Sequence, residues 1–391
     1  MPFFALSLSI TAFVFALLPP AAPQGNTLSE VANPIRQPYL LKGIGAFQAG
    51  NLQAAERIFE SAAETHPSSP GASYWLGVTD MEEHKYSGAE QALLKALKLL
   101  PNFPQAYDAL GILYDEQQFY SKSDAAFLQA LALNPKETNA LFNLGLSYMK
   151  QKRFDEALNQ FDKLLELDPN SEKAYLQRGV ALNQLRRYSE AESSLTRYLD
   201  FHPGDAFAQI KLGEVLFSLG RFQDAINYFK KASTPGAHAS DAFSHLGFTY
   251  YNLGRYQEAR QNLEKALALD SGNVEALRYL GIIHLEQGDR ESARAYFEKI
   301  LVLQPGYPEA QYYLGYIDFT EGQFEKSLPL FQSVIQKRPA DLKAYYQLAL
   351  TYSRLNQPRR AQEALQVFRR LQAQARAQHK RTYYDAEPSK Q

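Results

Sequence analysis

The side chains that could carry chemistry in this 391-residue sequence are carboxylates, hydroxyls and seven histidines, because cysteine is absent. The lack of cysteine excludes disulfides, thiol nucleophiles, thiolate zinc sites and iron–sulfur clusters. The sequence also lacks the G-x-x-x-x-G-K-S/T, G-x-S-x-G and H-E-x-x-H motifs of phosphate-binding, serine-hydrolase and zinc-protease sites. We therefore predict a protein that is not an enzyme, with no catalytic residues, no cofactor and no metal site.

One pair of polar residues, His284 and Asp318, could have a joint role. Each stands three positions after a glycine, and Asp80 does the same, although equivalent positions elsewhere are mostly aromatic or aliphatic. The pattern favours a polar pair between two helices, and the alternatives are a pH-sensitive joint or half of a metal site. We interpret the remaining histidines as surface or turn residues, namely His66, His84, His202, His238, His245 and His379.

The composition is that of an ordinary soluble protein, with 45% hydrophobic and 21% charged residues. The formal net charge is −1, so no global field attracts nucleic acid or an anionic membrane, and we expect no nucleic-acid partner. Tyrosine (25) and phenylalanine (24) are abundant, whereas tryptophan occurs once, at Trp75.

Three residue types recur with a constant period of 34 residues. The glycines of this series are Gly43, Gly77, Gly111, Gly145, Gly179, Gly213, Gly247, Gly281 and Gly315. Twelve positions later each unit has alanine or serine, and a proline closes most units. Ten units therefore run through residues 36–375 without an insertion or deletion, which is the signature of a repeat architecture.

The unit at residues 140–169 shows what each repeat should form. Its apolar residues follow helical spacing in two series, Leu141, Leu144, Gly145 and Tyr148, then Phe154, Ala157, Phe161 and Leu164. A glycine inside a helix costs about 1 kcal/mol relative to alanine, so its recurrence predicts close approach of the two helices. Polar residues before the first helix are predicted N-caps, at Ser69, Ser171, Asp205, Asn273 and Asp341.

This L–G–x–x–Y, G, A, F, A, P pattern resembles the tetratricopeptide repeat (TPR) and covers 340 of the 391 residues. The resemblance implies an all-α fold of about ten helix-turn-helix repeats, stacked into a right-handed superhelical solenoid with a concave groove. Each helix pair would contact mainly its neighbours, which gives one elongated core.

In this family the groove is lined by residues of the first helices. The resemblance therefore implies a partner-binding groove formed by Phe142, Phe207, Phe217, Phe248, Tyr251, Tyr312, Tyr316, Phe319 and Tyr346. Aromatic residues are enriched in binding hot spots, although the alternative is that they belong to the core between repeats. An acidic groove zone is expected at Glu82, Asp108, Asp115 and Glu116.

One class of partner is excluded by the residue after each repeat glycine. Co-chaperones of this family resemble one another in an asparagine there, which forms a carboxylate clamp, and no unit of this sequence has that asparagine. The mostly apolar residues at that position instead suit an amphipathic helix or an extended apolar peptide.

The two ends of the chain fall outside the repeats. Residues 3–18 are an uncharged apolar run, so we expect a signal peptide at 1–23, or else a membrane anchor, and a linker at 24–35. Residues 376–391 are expected to be a basic tail that ends a capping helix, with Val367, Phe368 and Leu371 covering the open end of the solenoid. The alternative is a basic surface for anionic lipid or glycan.

These observations predict a non-enzymatic protein-interaction scaffold in the periplasm, cell envelope or secreted space. Its partner would be a protein segment held in the aromatic groove. The alternative is a glycan-binding TPR protein that supports polysaccharide handling or secretion. A mis-assigned amino terminus would instead place the scaffold in the cytoplasm.

Overall fold

The computed structural model describes the backbone of residues 33–385 and the side chains of residues 33–376. In this range the chain forms twenty α-helices and no strand, which confirms an all-α helical-repeat solenoid. The expected signal peptide at 1–23 and most of the linker at 24–35 lie outside the described residues. The last six residues of the basic tail also lie outside them. Within the described ranges, none of the helices combines the length and the apolar composition that crossing a bilayer requires.

Each repeat contributes a first and a second helix. The first helices are α1 (Leu41–Gln48), α3 (Pro70–Glu82), α5 (Pro104–Glu116), α7 (Thr138–Lys150), α9 (Glu172–Gln184), α11 (Ala206–Ser218), α13 (Ala239–Asn252), α15 (Val274–Glu286), α17 (Pro308–Thr320) and α19 (Leu342–Arg354). The second helices are α2 (Leu52–Thr65), α4 (Tyr86–Leu99), α6 (Tyr120–Leu133), α8 (Phe154–Leu167), α10 (Tyr188–Phe201), α12 (Phe222–Ala232), α14 (Tyr256–Leu269), α16 (Arg290–Leu303), α18 (Phe324–Lys337) and α20 (Pro358–Asp385).

The chain divides into two compact units between Pro203 and Gly204. Unit 1 contains α1–α10 and unit 2 contains α11–α20. In both units each first helix packs against its own second helix, and the second helix packs against the first helix of the next repeat in that unit.

The repeat glycines allow the close approach that the sequence predicts. A Cβ atom added at Gly145 would lie 2.5 Å from Cε1 of Phe161, and one at Gly213 would lie 2.4 Å from Cε1 of Phe229. Both distances are far below van der Waals contact, so the aromatic ring of the second helix packs directly on the backbone of the first helix.

The predicted N-caps are confirmed at four of five positions. The side chains of Ser69, Asp205, Asn273 and Asp341 each accept a hydrogen bond from the backbone N–H three residues later. Ser171 precedes α9 without such a bond. This capping satisfies one of the free N–H groups at the start of each helix.

Phe368 of α20 packs against the ring of Tyr346 in α19, with 5.5 Å between the ring centroids. This contact lies within the last repeat, and the expected role of Val367, Phe368 and Leu371 in covering the open end stays a prediction. Five arginines of the basic stretch are exposed: Arg359, Arg360, Arg369, Arg370 and Arg376.

The turn between α11 and α12 has glycine at Gly220, where φ is +76° and no atom lies near the position of a Cβ. Gly220→Ala should therefore lower the free energy of unfolding by about 1 kcal/mol, because alanine is strained in this left-handed conformation. Urea denaturation followed by circular dichroism measures the effect. Gly204→Ala is the control, since Gly204 has open space and no positive φ. Equal stability of the two variants would contradict the explanation.

Candidate binding surface on the first helices

Consecutive first helices contact one another within each unit. The pairs are α3–α5, α5–α7 and α7–α9 in unit 1, and α11–α13, α13–α15 and α17–α19 in unit 2. Across the described residues, consecutive second helices make no comparable contact. Side chains of neighbouring first helices therefore form shared surfaces, over α3–α9 in unit 1 and over α11–α15 and α17–α19 in unit 2, which we call the first-helix face.

Four aromatic residues form a row across three first helices of unit 2. The ring of Phe248 in α13 lies 4.8 Å from Phe217 in α11 and 4.8 Å from Tyr279 in α15, measured between centroids. Tyr251 in α13 lies 5.6 Å from Tyr279. All these ring pairs are tilted, as favourable aromatic contacts usually are. We call Phe217, Phe248, Tyr251 and Tyr279 the aromatic row.

Charged side chains flank the aromatic row. The hydroxyl of Tyr251 donates a hydrogen bond of 2.6 Å to Glu286, and burial together with this carboxylate raises the pKa of Tyr251. The Arg278 guanidinium lies 4.0 Å from the ring centroid of Tyr279 and forms an ion pair with Glu275. Its Nε atom is buried without a hydrogen-bond partner among the described residues. The row is thus an apolar strip with a carboxylate and a guanidinium beside it.

A separate cleft of about 340 Å³ lies between α17 and α19. Tyr312, Tyr313 and Glu309 line one side, and Arg338, Asp341 and Lys343 line the other. Arg338 forms a 2.7 Å ion pair with Glu309, and burial raises the pKa of Tyr312 to about 12. The cleft is therefore bordered by both charges and by neutral phenol groups.

The predicted aromatic residues differ in exposure. Tyr346 is exposed, and the half-buried ones are Phe207, Phe217, Phe248, Tyr251, Tyr312, Tyr316 and Phe319. Tyr312, Tyr316 and Phe319 also pack against a core cluster that contains Phe331 and Leu348. One part of each of these rings therefore packs against the core, and another part stays accessible to solvent. Their role in binding a partner stays a prediction.

Phe142 does not belong to an accessible groove surface, contrary to the prediction from the sequence. Only 6% of this residue is exposed, and its ring lies 6.0 Å from that of Phe161 in the core of unit 1. Lys173 covers the ring further, with its ammonium 5.0 Å from the centroid. Phe142 therefore offers little surface to a partner, because the next repeat packs over it.

The acidic zone is only partly a surface feature. Asp108 is 1% exposed and accepts hydrogen bonds of 3.2 and 3.3 Å from the amide of Asn143, and burial raises its pKa to about 7. Asp115 is also buried and forms an ion pair with Lys150. The expectation that these two carboxylates are exposed in a groove is therefore wrong.

Glu82 and Glu116 remain as a half-buried acidic pair on α3 and α5. Burial and then the charge of Glu116 raise the pKa of Glu82 to about 7, and burial raises that of Glu116 as well. One carboxylate oxygen of each residue is buried without a hydrogen-bond partner among the described residues. Unit 1 therefore presents a small acidic surface, which is distinct from the aromatic row of unit 2.

His284 and Asp318 do not pair with each other. The His284 Nδ1 atom lies 3.0 Å from the carboxylate of Asp289, which caps the next helix, and Asp318 accepts a 2.7 Å hydrogen bond from Arg294. The expected joint role is therefore wrong, since each residue finds a nearer partner on a second helix or its turn.

The residue pattern did not predict the half-buried Tyr313 and Arg278 or the buried Tyr279 as parts of this surface and its support. Tyr279 and Tyr313 both stand two positions before the repeat glycine, one position away from those assigned to the groove. The signal that could have identified the two tyrosines is an aromatic residue at the same position of two consecutive repeats.

Two family models, both described as tetratricopeptide repeat, match the chain. One matches residues 109–172, 143–206, 176–239, 246–308 and 283–341, and the other matches 46–113 and 318–382. Comparison with curated protein sequences gives no significant match.

Solved structures are similar over about half of the chain. PilW, a widely conserved type IV pilus biogenesis factor, is 24% identical, with 54% of this chain and 98% of that chain covered and a TM-score of 0.48. PilF of Pseudomonas aeruginosa is 18% identical, with 54% and 96% covered and a TM-score of 0.47. YrrB, a TPR protein with an unusual peptide-binding site, is 22% identical, with 48% and 96% covered and a TM-score of 0.43. The 34-residue period, the paired helices and the family matches together show that this chain belongs to the tetratricopeptide repeat family.

Proposed function

We propose that this protein is a non-enzymatic scaffold that holds a partner protein along the aromatic row of unit 2. TPR proteins are generally protein-interaction scaffolds. The observation that supports this proposal is the row itself, in which Phe217, Phe248 and Tyr251 are half-buried and keep part of their surface accessible. Tyr279 is buried and packs against Phe248 and Tyr251 from the next first helix. The partner segment would be an amphipathic helix or an extended apolar peptide.

The aromatic row has the properties of a binding hot spot. Phe and Tyr side chains carry large apolar areas and lose little entropy when they are already held by neighbouring rings. The flanking Glu286 and Arg278 would fix the register of a partner, because charged groups at the edge of an apolar strip favour one orientation.

We also propose that the protein is exported to the cell envelope or secreted, since residues 3–18 have the apolar character of a signal peptide. Amino-terminal sequencing of the natural protein tests this. A mature protein that begins between about residues 20 and 26 supports export, because a signal peptide is removed from the mature chain. A soluble product that retains Met1 contradicts export.

Photo-crosslinking in the native host tests the proposed surface. A photoreactive residue at Phe248 should give a discrete adduct with a protein, and the same residue at the exposed Gln261 of second helix α14 should not. No adduct at Phe248 above the Gln261 control would contradict the proposal, and quenching of tyrosine fluorescence by oligosaccharides would then favour a glycan ligand.

The double variant Phe217→Ala/Phe248→Ala should weaken capture of the crosslinked partner by at least about 100-fold, because hot-spot aromatic residues contribute about 2 kcal/mol or more each. The matched control is Leu269→Ala/Val302→Ala, which removes two exposed apolar side chains from second helices of the same unit. Circular dichroism shows whether each variant keeps its helices. Equal loss of capture in a folded control variant would contradict the assignment to this face.

A further inference from the structure

Unit 1 contains a cluster of three carboxylates that the proposed function does not use. Glu56 lies in α2, Asp80 lies in α3, and Glu83 is the residue directly after α3. One oxygen of each residue lies within 4.8 Å of those of the other two. The repeat packing of α2 against α3 therefore brings together three oxygen donors at a spacing that a single cation could bridge.

Asp80 is the central member of this carboxylate cluster and is only 8% exposed. Within the part of the chain that the structure describes, its carboxylate has no side-chain hydrogen bond and no ion pair. Gly88 of α4 leaves the space for it, since a Cβ atom there would lie 2.7 Å from Oδ2 of Asp80. Asp80 is thus largely shielded from solvent and has no hydrogen-bonding or charged partner among the described side chains, which leaves its carboxylate available to a ligand.

The charge around Asp80 is strongly negative. The negative charges of Glu56, Glu83 and Glu60 raise the pKa of its carboxyl group. The positive charge of Lys85 lowers this pKa. Lys85 forms ion pairs with Glu56 and Glu83 and leaves Asp80 without one. Burial, and then the charge of Glu56, raise the pKa of Asp80 to about 6. A single ammonium thus leaves the cluster with excess negative charge.

We propose that Glu56, Asp80 and Glu83 bind a hard divalent cation, with Ca²⁺ the best match, and that the Lys85 ammonium moves into solvent when the cation enters. The donor set is entirely carboxylate oxygen, which favours Ca²⁺, Mg²⁺ or Mn²⁺ over zinc or copper. Ca²⁺ tolerates the irregular geometry of donors from separate helices better than Mg²⁺ does. The side chain of Lys85 is 48% exposed, so it has room to leave.

Terbium luminescence tests this site in the full-length protein. Trp75 is the single tryptophan and lies five residues before Asp80 on α3, about 7.5 Å along the helix at 1.5 Å per residue. Excitation of the indole should therefore sensitise Tb³⁺ emission that saturates with added Tb³⁺ and is reversed by Ca²⁺.

Asp80→Asn should weaken Tb³⁺ binding at least about 10-fold, and Glu64→Gln, an exposed carboxylate on α2 outside the cluster, should leave it unchanged. Lys85→Gln should strengthen binding, because it removes the competing ammonium. Glu83→Gln serves as a second ligand variant if Asp80→Asn does not fold. The proposal is overturned by absent sensitised emission, by equal affinity of the ligand variants and the natural protein, or by weaker binding in Lys85→Gln.

Discussion

Replacing Phe161 with alanine is expected to lower the free energy of unfolding by about 3–5 kcal/mol, the usual cost of removing a buried phenylalanine. Phe161 in α8 is fully buried, and its ring packs on the backbone at Gly145 and on the ring of Phe142. Neither neighbour can fill the space, because Gly145 has no side chain and Phe142 is held by its own helix. Urea denaturation followed by the fluorescence of Trp75, which is buried in unit 1, measures the loss.

The control for Phe161 is Leu167→Ala, which shortens an exposed side chain at the end of the same helix. Its cost should stay below about 1 kcal/mol, as for most surface substitutions. A similar loss in both variants would contradict the view that α7 and α8 are held together by the aromatic ring on glycine.

A double-mutant cycle tests that contact directly. Gly145→Ala alone should be destabilising by about 1–3 kcal/mol, because its methyl group would meet Phe161. In the Phe161→Ala background the same substitution should be neutral or stabilising, since alanine is the better helix former by about 1 kcal/mol. Equal costs in both backgrounds would show that Gly145 is present for some other reason.

Replacing Asp108 with asparagine is expected to stabilise the protein by about 2–4 kcal/mol at pH 8 and to have almost no effect near pH 4. Burial raises the pKa of Asp108 from 3.8 to about 7. The folded state therefore holds more protons than the unfolded state between these two values, and stability falls as the pH rises through this window. Above pH 7 the full cost of the buried carboxylate is present, and asparagine avoids it.

The measurement is the difference between the stability–pH curves of Asp108→Asn and the natural protein, followed by Trp75 fluorescence in urea. The difference isolates Asp108 from other groups such as Glu82, whose pKa burial also raises to about 7. Asp200→Asn, an exposed carboxylate on α10, is the control and should stay within about 0.5 kcal/mol at every pH. A pH-independent difference for Asp108→Asn would contradict a raised pKa.

Particular residues show how far the sequence could predict this fold. The glycines at 34-residue spacing predicted both the helix pairs and the close approach that Gly145 and Gly213 make with Phe161 and Phe229. Four of the five predicted N-caps are confirmed for a similar reason. Helical periodicity and capping depend on residues a few positions apart, so the local sequence contains them.

The candidate surface was harder to predict, because exposure depends on which neighbour covers a side chain. Phe142 and Phe248 are both first-helix aromatic residues, but the former is buried against Phe161 and the latter keeps part of its surface accessible. Tyr279 was not predicted, because it stands one position away from the groove position three residues before the glycine. Arg278 occupies that groove position but is neither aromatic nor acidic, so it was not selected.

The repeat length, the helix pairs, the residues at their contacts and the family could all be inferred from the order of amino acids, since each of these follows from period and spacing along the chain. Which charged side chains pair with each other could be seen only once the helices were packed together. The His284 ring lies beside Asp289, and Asp318 accepts a hydrogen bond from Arg294. Asp108 is buried beside Asn143. The carboxylate of Asp80 lies close to those of Glu56 and Glu83. A side chain has several neighbours within reach across two helices, and its distance, burial and charge select among them. That selection depends on three-dimensional packing, which a one-dimensional period does not contain.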